Sequence, residues 1–238
     1  MNTAATGTSP NHLPNPASRS LRSTVKRTQI IHAAMRHFAE RGFQDARVGD
    51  IADELGIAKG SIFQHFGSKN GLFFEAYKKA VRSLPAYLHA PPEVLRKGFF
   101  ETLRYWLVRT EHLVREDWIP YRVSLLGNHG TDLSLKRQIN RFLANEDPYG
   151  TVDFVKAGIK RGEVRSDIDL EMIVSILDWT MERFQDALLT EELDPGLFRH
   201  NGQLAGHKDG RIRQFLEVLR GAIGRTAASG RDSGQKHD

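Results

Sequence analysis

The chain has 238 residues, with 34 Lys+Arg against 29 Asp+Glu and no cysteine. That length can bury a sizeable core, and the missing cysteines exclude disulfides and thiolate metal sites, which fits a reducing cytoplasm. No stretch reaches 18 uninterrupted apolar residues and the N-terminus lacks the features of a signal peptide, so a cytoplasmic protein with no membrane contact is expected.

Residues 1–20, rich in Thr, Asn, Pro and Ser, read as a disordered tail, and residues 226–238 read likewise. Between them the pattern is helical, with no period-2 strand. A first helix is expected over 24–41, where Ile30, Ile31, Ala34, Met35 and Phe38 recur at three and four and Gly42 stops it. Short helices follow over 48–55 and 59–65, and a fourth begins after Ser68, whose hydroxyl is placed to cap it. Beyond Pro91 and Pro92 the pattern gives one long helix over 93–114 and a shorter one over 118–126. A helical stretch over 132–161 is broken near Asp147 by Pro148. Helices over 170–189 and 211–223 complete the chain, with a long glycine-bearing loop over 191–210 between them.

The positive charge is concentrated. Residues 19–82 hold 12 Lys+Arg against 6 Asp+Glu, whereas the rest of the chain holds 22 against 23. A field so placed suits a polyanion, through counterion release from phosphates. Inside that segment, ELGIAKG has the parts of a helix-turn-helix. Ala52 is small where two helices touch, Gly56 sits in the turn, and Ile51, Leu55, Ile57 and Ile62 lock the angle. In KGSIFQHFGSKNGLF, residues 59–73, Ile62 and Phe66 anchor a short helix whose lysine, glutamine and histidine point outward.

The helix RTQIIHAAMRHFAERG followed by FQDARVGDIADELGIAKGSIFQHFGSKNGLF resembles the DNA-binding domain of TetR-family transcriptional regulators over residues 24–80. The resemblance implies an all-α fold, with a three-helix helix-turn-helix domain over 21–68 and a larger helical domain over 69–225 that binds a ligand and dimerises. It implies a regulator, most often a repressor, that releases a palindromic operator in double-stranded DNA when a small molecule binds. Mapped residue by residue, it places Lys59, Gly60, Ser61, Gln64 and His65 at the DNA groove or its phosphate walls. Lys69 would hold a phosphate at the start of the fourth helix. Three positions depart from the family pattern. Phe63 stands where a tyrosine hydroxyl usually meets a phosphate, and Ala58 replaces the Ser or Thr that caps the recognition helix. Arg47 replaces the cap of the second helix and can itself reach a phosphate.

Ten histidines form no i, i+4 pair with a carboxylate near, so neither a metal site nor a cofactor is expected. No hydrolase, zinc-protease or phosphate-loop motif is present, so the chain is not expected to be an enzyme. The rival reading is a helical enzyme or ligand-sequestering module with a vestigial helix-turn-helix. Aromatic residues spread over the later helices, and most of them fill a core. The resemblance implies an apolar cavity among them. Trp106, Trp118, Tyr121, Phe154 and Trp179 are the candidate ligand residues, Thr102, Arg109 and His112 the polar candidates, and the effector is expected to be largely apolar. Two apolar stripes, one running from Ile173 through Phe184 to Leu188 and one from Ile212 to Ile223, are the expected seam of a homodimer.

Overall fold

Apolar residues at helical spacing bury one stripe of each helix, and the architecture follows from where those stripes meet. The computed structural model describes residues 16–130, 132–200, 203–204 and 207–225. The C-terminal tail expected over 226–238 and residues 1–15 of the N-terminal one lie outside the described residues. The chain divides into two compact units, Met1–Ala76 and Tyr77–Asp238.

In the first unit, α1 (Pro16–Asp45) begins earlier than expected, so residues 16–20 are helical rather than part of a tail. Gly42, at φ 75°, leaves helical geometry where the sequence placed the stop. Ile30, Ala34 and Phe38, four apart, lie at 0% exposure. The Phe38 ring meets Phe73 edge-on at 5.0 Å. α2 (Val48–Glu54) and α3 (Lys59–Phe66) form the helix-turn-helix, and Ile51, Ala52 and Ile62 are its buried contacts. Gly56, at φ 61°, ends α2. Its N–H donates to the Asp53 carbonyl and that of Ile57 to the Ala52 carbonyl, the paired bonds of a Schellman motif. α4 (Lys69–Tyr87) starts on Ser68, whose Oγ accepts the Gly71 N–H at 3.0 Å.

The second unit starts within α4, and its described residues are mainly helical, with one two-stranded ribbon and a Val164–Gly224 bridge. The single helix expected over 93–114 is instead two, α5 (Pro92–Leu95) and α6 (Phe99–Glu116). The break is at Gly98, with φ 101°, where a Cβ would stand 2.6 Å from the Glu163 carboxylate. That carboxylate accepts the Phe99 N–H at 3.0 Å and so caps α6 from far along the chain. After α7 (Trp118–Asn128), the helical stretch breaks at the proline into α8 (Leu133–Glu146) and α9 (Thr151–Lys160). Asp147 takes a left-handed conformation there, and its carboxylate accepts the N–H groups of Thr151 and Val152. α10 (Leu170–Leu189) has the expected bounds. The expected loop holds a 3-10 turn (Glu191–Leu193) and a ribbon of β1 (Arg199–His200) with β2 (Gln203–Leu204), before α11 (Lys208–Ile223).

α6 packs against α7, α10 and α11. The two stripes expected to form a dimer seam are in the interior of this unit. Ile173, Leu177 and Phe184 of α10 join Ile212, Leu216 and Leu219 of α11 in one buried cluster. Phe184 stacks on Phe215 at 4.0 Å and meets Phe198 at 5.1 Å, so it belongs to the protomer core. The reason is α6, whose Phe99, Leu103 and Leu107 supply the apolar partner that the stripes were expected to find in a second chain. No helix among the described residues is long and apolar enough to cross a membrane.

Candidate functional site

The first unit presents α3 as its outward element. Ile62 is buried, while Lys59, Gly60 and Gln64 are exposed and Ser61 and His65 half-buried. Phe63 is 37% exposed, large for an aromatic ring, with the Lys59 ammonium 5.8 Å from its centroid. Nothing lies within 4 Å of a Cβ built on Gly60, so the chain's own packing does not require glycine there. Ala58 and Arg47 make no side-chain cap, and Arg47 is exposed at the start of α2. Lys69 donates to the Gln44 carbonyl at 2.9 Å and lies 4.9 Å from the Phe43 ring centroid. Partial burial holds its pKa below the ordinary lysine value.

Two acidic side chains of α2 have partners on α1. Asp50 pairs with Arg41, and Glu54 pairs with both Arg36 and His37. The His37 hydrogen bond, at 2.7 Å, is the largest cause that holds the Glu54 carboxyl below its usual value. α3 itself contains no acidic residue. The outward face therefore keeps a positive and polar character suited to phosphates and base edges. The role of His37 was not legible in sequence. It is buried, clamps α1 to the end of α2 through Glu54, and keeps an unpartnered Nδ1.

In the second unit a cavity of about 430 Å³ opens among α4, α6, α7, α10 and the α8–α9 junction. Of the five sequence candidates, Trp106 and Tyr121 line it. Phe154 lies outside, stacked on Phe99 at 4.3 Å. Trp118 and Trp179 are 41% and 64% exposed and do not line it either. Thr102 and Arg109 bond to the Gly98 and Tyr87 carbonyls, His112 is exposed, and none of the three reaches the cavity. Size and aromaticity located a helical interior but did not say which face of each helix meets it.

The cavity also carries carboxylates that the apolar reading passed over. Asp178, Glu182 and Asp186, four apart on α10, all line it. Asp186 is 3% exposed and accepts from the Tyr121 hydroxyl at 3.1 Å, with His129 Nε2 at 2.7 Å. Burial, then the neighbouring Asp186 charge, raises the Glu182 carboxyl. Asp178 keeps contact with solvent, yet the protein packed round it pushes its carboxyl up to about 6. Burial raises the Tyr77 and Tyr121 phenols above the ordinary tyrosine range, and Tyr77 donates to Asn128 at 2.9 Å. The indole nitrogen of Trp106 is buried with no hydrogen-bond partner. His129, Glu182 and Asp186 bring one potential metal ligand each within 4.8 Å of one another. The spacing of four is present in LDWTMERFQD, beside the apolar stripe of the same helix.

The family profile described as "Bacterial regulatory proteins, tetR family" matches residues 30–76, which hold the core of the first unit and the helix-turn-helix. A transcriptional repressor of Corynebacterium efficiens, AcnR, is 28% identical over 172 residues, spanning 72% of this chain and 86% of the repressor. Among solved structures, a TetR-family regulator from Vibrio parahaemolyticus is similar with a TM-score of 0.58 at 20% identity, covering 84% of this chain and all of the other. FadR from Bacillus subtilis, solved in complex with stearoyl-CoA, is similar with a TM-score of 0.56 at 21% identity, covering 81% of this chain and 96% of that one.

Proposed function

We propose that the chain is a TetR-family DNA-binding transcriptional regulator whose parts divide the work. It acts as a repressor that leaves its operator when a small molecule enters the cavity of the second unit. The relatives named above are regulators, not enzymes, and one fold relative was solved with an acyl-CoA bound. The observation that carries the DNA half is α3. Its apolar side is buried through Ile62, while Lys59, Gly60 and Gln64 stand clear of the protein.

In this reading Lys59, Ser61 and His65 meet the groove or its phosphates, and Gln64 reads a base edge. Arg47 and Lys69 hold the backbone, Lys69 by exchanging its Gln44 contact for a phosphate. Phe63 offers apolar contact in place of a hydroxyl. A single three-helix module buries only about 600–1,000 Å² on DNA, so two copies joined as a dimer read a palindrome with far greater effect. The join falls on the outward faces of α10 and α11, where Met172, Trp179 and Val218 are exposed, and not on the stripe through Phe184. The effector has a substantial apolar body, matching the leucines and aromatic rings that line the cavity.

The test is to recover genomic fragments bound by the protein and challenge the complexes with fractionated small-molecule extract of the host cell. Enriched fragments and one or more fractions that dissociate them are expected. Fragments no better bound than bulk DNA would contradict the DNA half, and complexes indifferent to every fraction would contradict the effector half.

A further inference from the structure

We propose that the effector carries a positive charge, an organic cation such as a protonated or quaternary amine on an apolar body. The inference rests on the reading of the cavity as an effector site and adds the chemistry of its ligand. Four carboxylates line the cavity, and among the described residues no lysine or arginine does. Asp147 is occupied as the cap of α9 and Asp186 by Tyr121 and His129. Glu182 remains, with Asp178 one turn away on the same wall, where a hydrogen bond with Thr151 only partly offsets its burial.

Carboxylates gathered in a half-buried wall raise one another's energy, and a cation placed among them relieves both burial and mutual repulsion. The raised Glu182 and Asp178 carboxyls report that strain in the free protein. His129, Lys136 and Arg183 offset the Glu182 charge only in part, and Lys136 already donates to the Asn128 carbonyl at 2.7 Å.

The remaining walls fit an organic cation better than a bare metal ion. Tyr77, Trp106, Tyr121 and Tyr149 line the same space, and aromatic faces attract ammonium groups that have lost their water. A volume of about 430 Å³ holds a molecule of many atoms. The unmet indole N–H of Trp106 is a further donor of the kind a bound molecule satisfies. The phosphates of an acyl-CoA, or a free carboxylate, would instead meet the carboxylate wall with like charge.

The experiment is calorimetric titration of the full chain with decyltrimethylammonium and with decanoate, which share an apolar tail and differ in the sign of the head. Wild type is compared with the double variant Asp178→Asn, Glu182→Gln, which keeps side-chain size and removes charge. Wild type is expected to bind the ammonium at least about tenfold more tightly than decanoate, and the variant to lose most of that preference. Equal or tighter binding of decanoate, no binding of the ammonium, or a preference unchanged in the variant would overturn the proposal. If the variant fails to fold, the wild-type ratio alone decides. A Zn²⁺ arm separates a metal site: stoichiometric Zn²⁺ binding that abolishes ammonium binding would assign the wall to a metal and overturn the organic cation. Adding each probe to protein–DNA complexes keeps the two readings apart. Release by decanoate or decanoyl-CoA without ammonium binding leaves the effector reading standing and sinks the cation. Ammonium binding with the stated preference but no release upholds the cation site and sinks the release mechanism.

Discussion

The two units spend their polar residues in opposite ways. In the first, Asp50 and Glu54 are paired with arginines or His37, the aromatic rings of Phe38, Phe43 and Phe73 pack on one another, and Lys59 and Gln64 of α3 face outward. In the second, α10 turns Leu177 and Phe184 into an apolar cluster and lines a cavity with Asp178, Glu182 and Asp186. A unit that must present fixed groups to a regular duplex gains from pairing its charges and filling its core. On the proposed reading, the second unit keeps unrelieved charge beside space so that a ligand's differential contacts there shift the population of states.

Substitutions on α10 break this comparison most sharply. Phe184→Glu places a charge where three aromatic rings meet and is expected to cost at least about 4 kcal/mol, enough to unfold the second unit. Trp179→Glu, on the same helix but exposed, should leave the melting temperature nearly unchanged and split the dimer in analytical ultracentrifugation. A folded, monomeric Phe184→Glu protein would return that residue to the interface.

A smaller effect isolates the DNA face from the fold. Gly60→Ala adds a methyl group that meets no protein atom within 4 Å and favours the helix, so stability should rise by about 0.5 kcal/mol. Operator affinity should fall about tenfold, because the duplex would approach the backbone at that point; a fluorescence titration beside a thermal melt is the check. Unchanged affinity would remove Gly60 from the interface.

The smallest effect tests the strained wall of the cavity. The Asp178 carboxyl is raised from 3.8 to about 6 in the folded chain, so the folded state holds the extra proton between those values and stability falls as pH rises through them. Above that window Asp178→Asn should be the more stable protein, by up to about 1 kcal/mol once solvent screening of an exposed side chain is allowed for. The advantage should vanish below about pH 4, which thermal melts at the two pH extremes would show.

Local chemistry was legible in the sequence, and distant partners were not. Gly56 and Ser68 act through neighbours two to four residues away, and Pro148 interrupts its own helix, so each was readable in place. Gly98 breaks a helix because of Glu163, which no window of sequence contains. Helical spacing placed Phe184 and Leu177 on one stripe but could not tell whether α6 or a second chain would cover it. The large exposed ring of Trp179 misled for the opposite reason, since its size favours burial without naming the burying partner. The two-residue strands of the ribbon are too short to show any period.

The central claim is that α3 reads DNA with its outward residues while the rest of the first unit holds it in place. Parallel selection from random duplexes with wild type and Gln64→Ala tests it most directly. Wild type should return an inverted repeat with half-sites about one helical turn, ~34–36 Å, apart. The variant should return the same repeat with base preference relaxed at one symmetric position, a loss of about 1–3 kcal/mol of discrimination there. Identical motifs from both proteins, or no motif from wild type, would contradict the account.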